Sequence, residues 1–484
     1  MRPTEFVLHL PEGGTSPIYL CVAAALGRAI KAGALAPGDP LPGTRALADQ
    51  LGVNRKTVIA AFEELEIEGW VESRASSGTF VAALVPASWP GHWDPNLPHE
   101  SPDFELMTQL TPLSETAQGV MDFRDGLPDP RLLPVDALAQ AYHRALRRRE
   151  GALMHVGEIQ GEAGYRRAIS SWLGERRGIL LGPEGILSTG GSTQGLELLV
   201  RAFVKDGGVV AMERPGSPAM REAILRTGVE VLGLPVDSGG LVLESLESIL
   251  GRVPIRLLYL TPHHQFPTGV TLAPERRVQL MDWAAQHRFV VVEDDGDFEF
   301  HVGARPPLPM AAQDPKGRVI TLGSFSRLLA PGLRLGFIAA QPALVEKLAR
   351  LRQRLDLYGD RVMERAVGDL LRGGELPRFI RKARLAYQAR REHILERLSA
   401  WPGARFDRHG GLGIWIQWDG DWGMGPWLKA CAARSLRLSP GTAYDPSGTL
   451  VNALRLGFGG HSKVEIDQAL DLMEQLAPWR RGGG

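Results

Sequence analysis

Cysteine is nearly missing. Cys21 and Cys431 stand far apart in a chain of 484 residues, which excludes a disulfide framework and a cysteine-built zinc site. No apolar run approaches the ~18 residues that a membrane span requires. The first residues also lack the basic-then-apolar order of a secretory signal. The expected location is therefore cytoplasmic, with no membrane partner. Net charge is absent as well: 55 basic residues balance 55 acidic ones, so any nucleic-acid surface has to be local. Lysine is scarce, with eight (31, 56, 205, 316, 347, 382, 429 and 463) among the 55 basic residues. That bias toward arginine reflects coding composition.

What is present is globular. The chain is 44% hydrophobic and 23% charged, unlike a disordered or fibrous protein. Its length exceeds one ordinary core and predicts two or three domains.

Residues 17–32 carry apolar side chains at helical spacing. A Gly/Pro turn follows, and Thr44 is placed to cap a short helix, "RALADQLG". Beyond the turn at Gly52–Asn54, Arg55 opens a third helix with Val58, Ala61, Phe62 and Leu65 on one face. Asn54, Arg55, Lys56 and Thr57 are left polar at its exposed start. Two short helices about a turn, the second with a basic start, form a helix-turn-helix. "GWVESRASSGTFVA" then reads as two short strands about a Ser-Ser-Gly turn, a wing. Residues 1–82 hold nine acidic and seven basic residues. The acids crowd the far half of the third helix, however, and placement rather than sum governs phosphate contact. Taken alone, the pattern also fits a small three-helix domain with a solvated basic edge.

Residues 83–122 change character. Prolines 86, 90, 95, 98, 102 and 112 exclude long helices and central strands. This reads as a semi-extended tether, with Trp89, Trp93 and Phe104 able to pack on a surface. From 123 to 484, apolar strand-like runs ("GVVAMERP", "RLLYLTP", "RFVVVEDD", "GRVITLGSFS") alternate with helical patterns such as 217–227 and 272–287. That alternation predicts an α/β domain with a mostly parallel sheet, whose polar residues gather where the strands end.

Several motifs there carry chemistry. "STGGSTQGLELLVRAF" is a glycine turn entering a helix, where the N–H groups of Gly191, Ser192 and Thr193 can hold an anion. "HHQFPTG" is a turn after a strand. "VVVEDDGDFEF" ends a buried strand in acids, and no histidine accompanies them at metal-ligand spacing, so no metal is expected. Arg327, Arg334 and Arg455 offer fixed positive charge.

"LPGTRALADQLGVNRKTV" and "EGWVESRASSGTFV" resemble the winged-helix domain of the GntR family of repressors. "PDPRLLP", "HQFPTG", "EDDGDFEF", "GSFSR" and "PGLRLGF" resemble the fold type I aminotransferase domain of pyridoxal phosphate (PLP) enzymes. The whole chain thus resembles the MocR subfamily of GntR regulators: a winged helix-turn-helix (1–82), a Pro-rich linker (83–122) and an aminotransferase-like effector and dimerisation domain (123–484). The resemblance implies contacts to operator DNA by Thr44, Arg45, Arg55, Lys56, Thr57, Gly78 and Thr79. It also implies a cofactor or effector site of Ser192, Thr193, His264, Asp294, Ser324, Ser326, Arg327, Arg334 and Arg455, in a homodimer. Asp294 matches the acid at the pyridine nitrogen. Ser192, Thr193, Ser324, Ser326 and Arg334 match the phosphate cup.

The departures fall on the reacting atoms. Arg327 stands at the lysine that binds PLP covalently. A guanidinium stays protonated and has no free lone pair to attack an aldehyde. Ser217 falls where the family has a tyrosine stacked on the ring, and Gly296 where a tyrosine bonds the cofactor hydroxyl. Gly413 replaces a common histidine. Lys316 and Lys347, nearest in sequence, lie in surface-like segments. The first reading is a one-component regulator without covalent PLP, its large domain dimerising the heads and receiving a small anionic or amino-acid-like effector. A second keeps PLP in the cup non-covalently. A third is a working PLP-dependent aminotransferase with a DNA-binding head.

Overall fold

The computed structural model describes residues 17–75, 77–86, 119–124, 126–205, 207–303, 305–406, 410–419 and 423–481. The chain divides into two compact units, Met1–Leu113 and Ser114–Gly484. Trp89, Trp93, Phe104 and most of the expected tether lie outside the described residues.

In the first unit, α1 spans Ile18–Lys31, α2 Thr44–Leu51 and α3 Arg55–Ile67. Two strands follow, β1 (Val71–Arg74) and β2 (Gly78–Val81), paired antiparallel from Val71↔Val81 to Arg74↔Gly78. The apolar positions at helical spacing become one core: Leu26, Leu47, Val58, Phe62, Leu65 and Trp70 are buried together. Gly52 adopts φ 64°, the left-handed region glycine enters without a Cβ clash, and this ends α2. Asn54 caps α3, its side-chain oxygen accepting from Lys56 N at 2.9 Å. Thr44 does not cap α2. The extended cap residue is Gly43, and Thr44 is already the first helical residue.

The second unit is built on an eight-stranded sheet. Its strands are β3 (Ile186–Thr189), β4 (Val209–Arg214), β5 (Glu230–Asp237), β6 (Gly240–Leu241), β7 (Ile255–Leu260), β8 (Val290–Asp294), β9 (Val319–Ser324) and β10 (Gly336–Ala339). Their order is β3-β10-β9-β8-β7-β4-β5-β6. The central run β9-β8-β7-β4-β5 is parallel, while β10 is antiparallel to both its neighbours. All five residues of β8 are buried, as expected of a strand covered on both faces. Parallel pairing brings the carboxyl ends of β4, β7, β8 and β9 to one edge. Helix α4 (Ser192–Phe203) opens there too, directly after β3 and the Gly190–Gly191 turn.

A smaller antiparallel sheet, β11 (Ala404–Phe406), β12 (Gly413–Trp418), β13 (Ser439–Pro440) and β14 (Ala453–Gly457), follows later in the chain. Met121 and Asp122, placed in the tether by composition, pair instead with Leu436 and Arg437.

Leu65 is fully buried in the head core. Leu65→Ala should destabilise the head by ~2–5 kcal/mol. In hydrogen exchange of the full chain, residues 18–81 should lose protection while 119–472 keep theirs.

Candidate functional site

Two surfaces concentrate the chemistry. On the head, Arg45, Arg55 and Lys56 are exposed, and Thr44 and Thr57 half-buried. Arg55 Nε donates to Thr44 Oγ1 at 3.3 Å, which joins the starts of α2 and α3. A long cation is thereby held at the exposed end of α3, where a recognition helix reaches bases. Gly78 (φ 106°) opens the second wing strand, and Thr79 follows it half-buried. Of the crowded acids, Glu66 is tied down by the Ser73 N–H and hydroxyl, both at 3.0 Å.

The second surface is a cleft at the carboxyl ends of β7, β8 and β9, with about 490 Å³ of empty space, its open mouth included. Ser192, Ser217, Tyr259, His264, Phe266, Asp294, Gly296, Asp297, Ser324 and Arg327 are among its walls. Asp294 ends β8, and its Oδ2 accepts from the Tyr259 hydroxyl at 2.9 Å. Burial pushes its pKa up to about 6, against the Tyr259 hydrogen bond and the Arg327 charge.

Arg327 lies in the short helix Phe325–Leu328. Its Nη1 is 3.5 Å from Asp297 Oδ2, and its Cζ sits 4.7 Å from the centre of the Phe266 ring. Arg455 stacks on that same ring at 4.4 Å. Arg455 is buried, with Nη1 donating to the Arg124 carbonyl at 3.4 Å; it bears on the cleft through Phe266 and is not one of its walls.

Around the start of α4, Ser192 and Thr193 are half-buried. A Cβ on Gly191 would lie 3.9 Å from Arg334 Nη1, so this guanidinium hangs beside the helix terminus. Arg334 is exposed and adopts φ 47°, a left-handed conformation that costs a non-glycine residue ~1–2 kcal/mol. Ser324 Oγ accepts from Ser326 N at 3.1 Å, whereas Ser326 Oγ is buried with no partner among the described residues. His264 Nδ1 is likewise buried without a partner, and burial lowers the ring's pKa to about 4, leaving it neutral at physiological pH.

The acids have a histidine neighbour that their own segment does not supply. His263, from the turn after β7, meets Asp295, with Nδ1 2.7 Å from Oδ1. Glu293, His263 and Asp295 bring ligand atoms within 4.8 Å of one another. Spacing within one segment could not show a histidine arriving from another strand. The partners are already engaged: His263 Nε2 is 2.7 Å from the Pro307 carbonyl, and Glu293 accepts from Met310 N and Ala311 N. Burial alone would raise the Asp295 pKa, but His263 and Arg177 hold it below the usual carboxylate value.

Sequence reasoning missed three residues. Tyr259 brings a hydroxyl to the cleft from β7, although Gly296 has none; a lone phenol in an aliphatic buried strand needs a partner, which was the available signal. Phe266 was hidden in a turn motif. Glu213 is buried and accepts from Thr261 N at 2.9 Å and Thr261 Oγ1 at 2.8 Å, anchoring the turn that carries His264 and Phe266. Burial pushes its pKa up to about 7.

Measured against PLP, the donor set is divided. The start of α4, the orphaned Ser326 hydroxyl and Arg334 suit a phosphate, and Asp294 suits the pyridine nitrogen. The amine is missing, because no lysine is among the residues lining the cleft. Lys316 is exposed and lies 3.8 Å from Asp282, and Lys347 is exposed on the helix Pro342–Leu355. Covalent attachment does not fit these residues.

The chain matches two families, bacterial regulatory proteins of the gntR family over residues 18–81 and aminotransferase class I and II over residues 119–472. It is 30% identical to the probable rhizopine catabolism regulatory protein MocR of Rhizobium meliloti, over 80% of this chain and 78% of that protein. Identity to the HTH-type transcriptional regulator TauR of Rhodobacter capsulatus is also 30%, over 95% of this chain and 96% of that one. Among solved structures, kynurenine aminotransferase of Pyrococcus horikoshii superposes with a TM-score of 0.68 at 28% identity, covering 74% of this chain and 90% of that one.

Glu213 generates a pH prediction. An acid whose folded pKa lies near 7 stays protonated where the unfolded chain is already ionised. Its contribution to stability is thus complete below pH ~4.5 and lost as pH rises through about 7, a difference of ~3 kcal/mol. Glu213→Gln should flatten the fall in thermal midpoint between pH 5 and 8, measured by scanning fluorimetry.

Proposed function

We propose that this chain, which belongs to the MocR-type regulators with a gntR-family head and an aminotransferase class I and II domain, is a one-component DNA-binding transcription regulator that forms no covalent bond to PLP. The carrying observation is Arg327. At the position of the amine stands a guanidinium engaged by Asp297 and Phe266, and it cannot act as a nucleophile near neutral pH. On this reading the large domain is a receptor and a homodimerising scaffold, and the protein is not an enzyme. The head reads operator duplex through Thr44, Arg45, Arg55, Lys56, Thr57, Gly78 and Thr79. Arg55 is the leading candidate for a bidentate contact to phosphate or guanine.

The effector we infer is a small anionic or amino-acid-like molecule. Ser192, Thr193, Ser324, Ser326 and Arg334 hold its anionic group at the start of α4, supported by the helix dipole. His264, Asp294 and Arg327 surround it, and Arg455 acts through Phe266. A cytoplasmic site of action follows from the DNA-binding role. Among the described residues no helix is long and apolar enough to cross a membrane. A second reading, PLP held in the cup without a bond, draws on the orphaned Ser326 hydroxyl and on Asp294.

Two measurements test this. Incubation with PLP followed by borohydride should leave the mass of the purified chain unchanged; a trapped adduct together with amino-group transfer would sink the proposal. Arg55→Ala should weaken retention of duplexes selected by the native chain by ~5- to 150-fold, the worth of one bidentate contact. Unchanged gel retardation would remove α3 as the reading element.

A further inference from the structure

Two of the residues that depart from the aminotransferase pattern, Gly296 and Arg327, touch each other, and a third, Gly413, lies against Arg455. A Cβ on Gly296 would lie 3.3 Å from Arg327 Cδ, so a larger side chain there forces Arg327 to shift. A Cβ on Gly413 would lie 2.6 Å from Arg455 Cζ, which no side chain could accept without displacing the guanidinium. Both guanidiniums stack on Phe266, at 4.7 and 4.4 Å, and Phe266 is itself braced edge-on by Tyr444 at 5.5 Å. Decay of an abandoned site gives no reason for a vacated position to match a neighbouring replacement. Gly296 and Arg327 match.

The charges match as well. The pyridine nitrogen of PLP, protonated by an acid, is part of a flat delocalised cation. A guanidinium is also flat, delocalised and weakly hydrated, and it stacks on aromatic faces. Arg327 places such a cation 3.5 Å from Asp297, in the cleft whose walls include Asp294. Tethered to the chain, it is present at an effective concentration on the order of millimolar, against which a free cofactor competes poorly.

We propose that Arg327 is a resident cation that has taken the place of the cofactor ring. Its guanidinium answers Asp294 and Asp297, Gly296 supplies its room and Phe266 its stacking face, and the PLP ring is excluded whether bonded or not. The inference rests on the reading above in that both concern the same cleft. It goes further by rejecting non-covalent PLP and by giving Gly296 a role.

The test is PLP titration by absorbance and thermal shift on the full-length native chain, Arg327→Ala, Gly296→Ala and the double variant. The native chain should show no saturable PLP binding. Arg327→Ala should bind PLP at least about tenfold more tightly and gain a few degrees of thermal midpoint with it. Gly296→Ala should lower the midpoint of the native chain and have little effect once Arg327 is gone, as coupled neighbours do. Arg327→Gln replaces Arg327→Ala if the alanine variant does not fold. Saturable, adduct-free PLP binding by the native chain, equal affinities in native and variant, or equal Gly296→Ala effects in both backgrounds would overturn the inference. A borohydride-trapped adduct on the native chain would instead sink the proposed function itself.

Discussion

A guanidinium holds its proton at any pH a cell reaches, and the proposed character of the large domain rests on that constraint. An amine in the same cleft could lose a proton and attack an aldehyde. Arg327 can only pair, donate hydrogen bonds and stack. It does so with Asp297 and Phe266, and its charge also moderates the burial of Asp294. A fold that supports bond-making in the aminotransferases here surrounds a permanent cation.

The scaffold that sets this cation in place is the parallel sheet. Strands β7, β8 and β9 deliver Tyr259, Asp294 and Ser324 to one edge, while α4 begins at the same edge with its unpaired N–H groups. The cleft's walls include further charged groups. Asp295 faces His263 at 2.7 Å, with Arg177 at 3.9 Å. Buried charges of this kind are tolerated only when paired. Together with the Met310 and Ala311 N–H groups on Glu293, they hold the segment that carries Asp294 and Asp297. Glu213 does the same for the turn that carries Phe266, through Thr261.

Much was legible in the sequence because it rests on local rules. Helical spacing of Val58, Ala61, Phe62 and Leu65 gave α3, and the glycine turn gave the start of α4. Aliphatic runs gave β4, β7, β8 and β9 with ends shifted by a residue or two. Thr44 as a cap was wrong because two adjacent residues can occupy that position, and backbone dihedrals rather than side-chain type chose Gly43. His263 beside Asp295, Tyr259 on Asp294 and Phe266 between two arginines were not legible, since each joins segments from different strands.

The amino-acid order by itself determined the two-part architecture and which residues stand at each position of the motifs, Arg327, Gly296 and Gly413 among them. Side-chain chemistry and short-range periodicity are properties of the string. Only the tertiary structure decided which residues meet: Gly296 lies against Arg327, Gly413 against Arg455, and one phenyl ring takes both guanidiniums. Contacts between residues tens to hundreds of positions apart are fixed by how strands stack and where their ends converge, and spacing along the chain does not encode them.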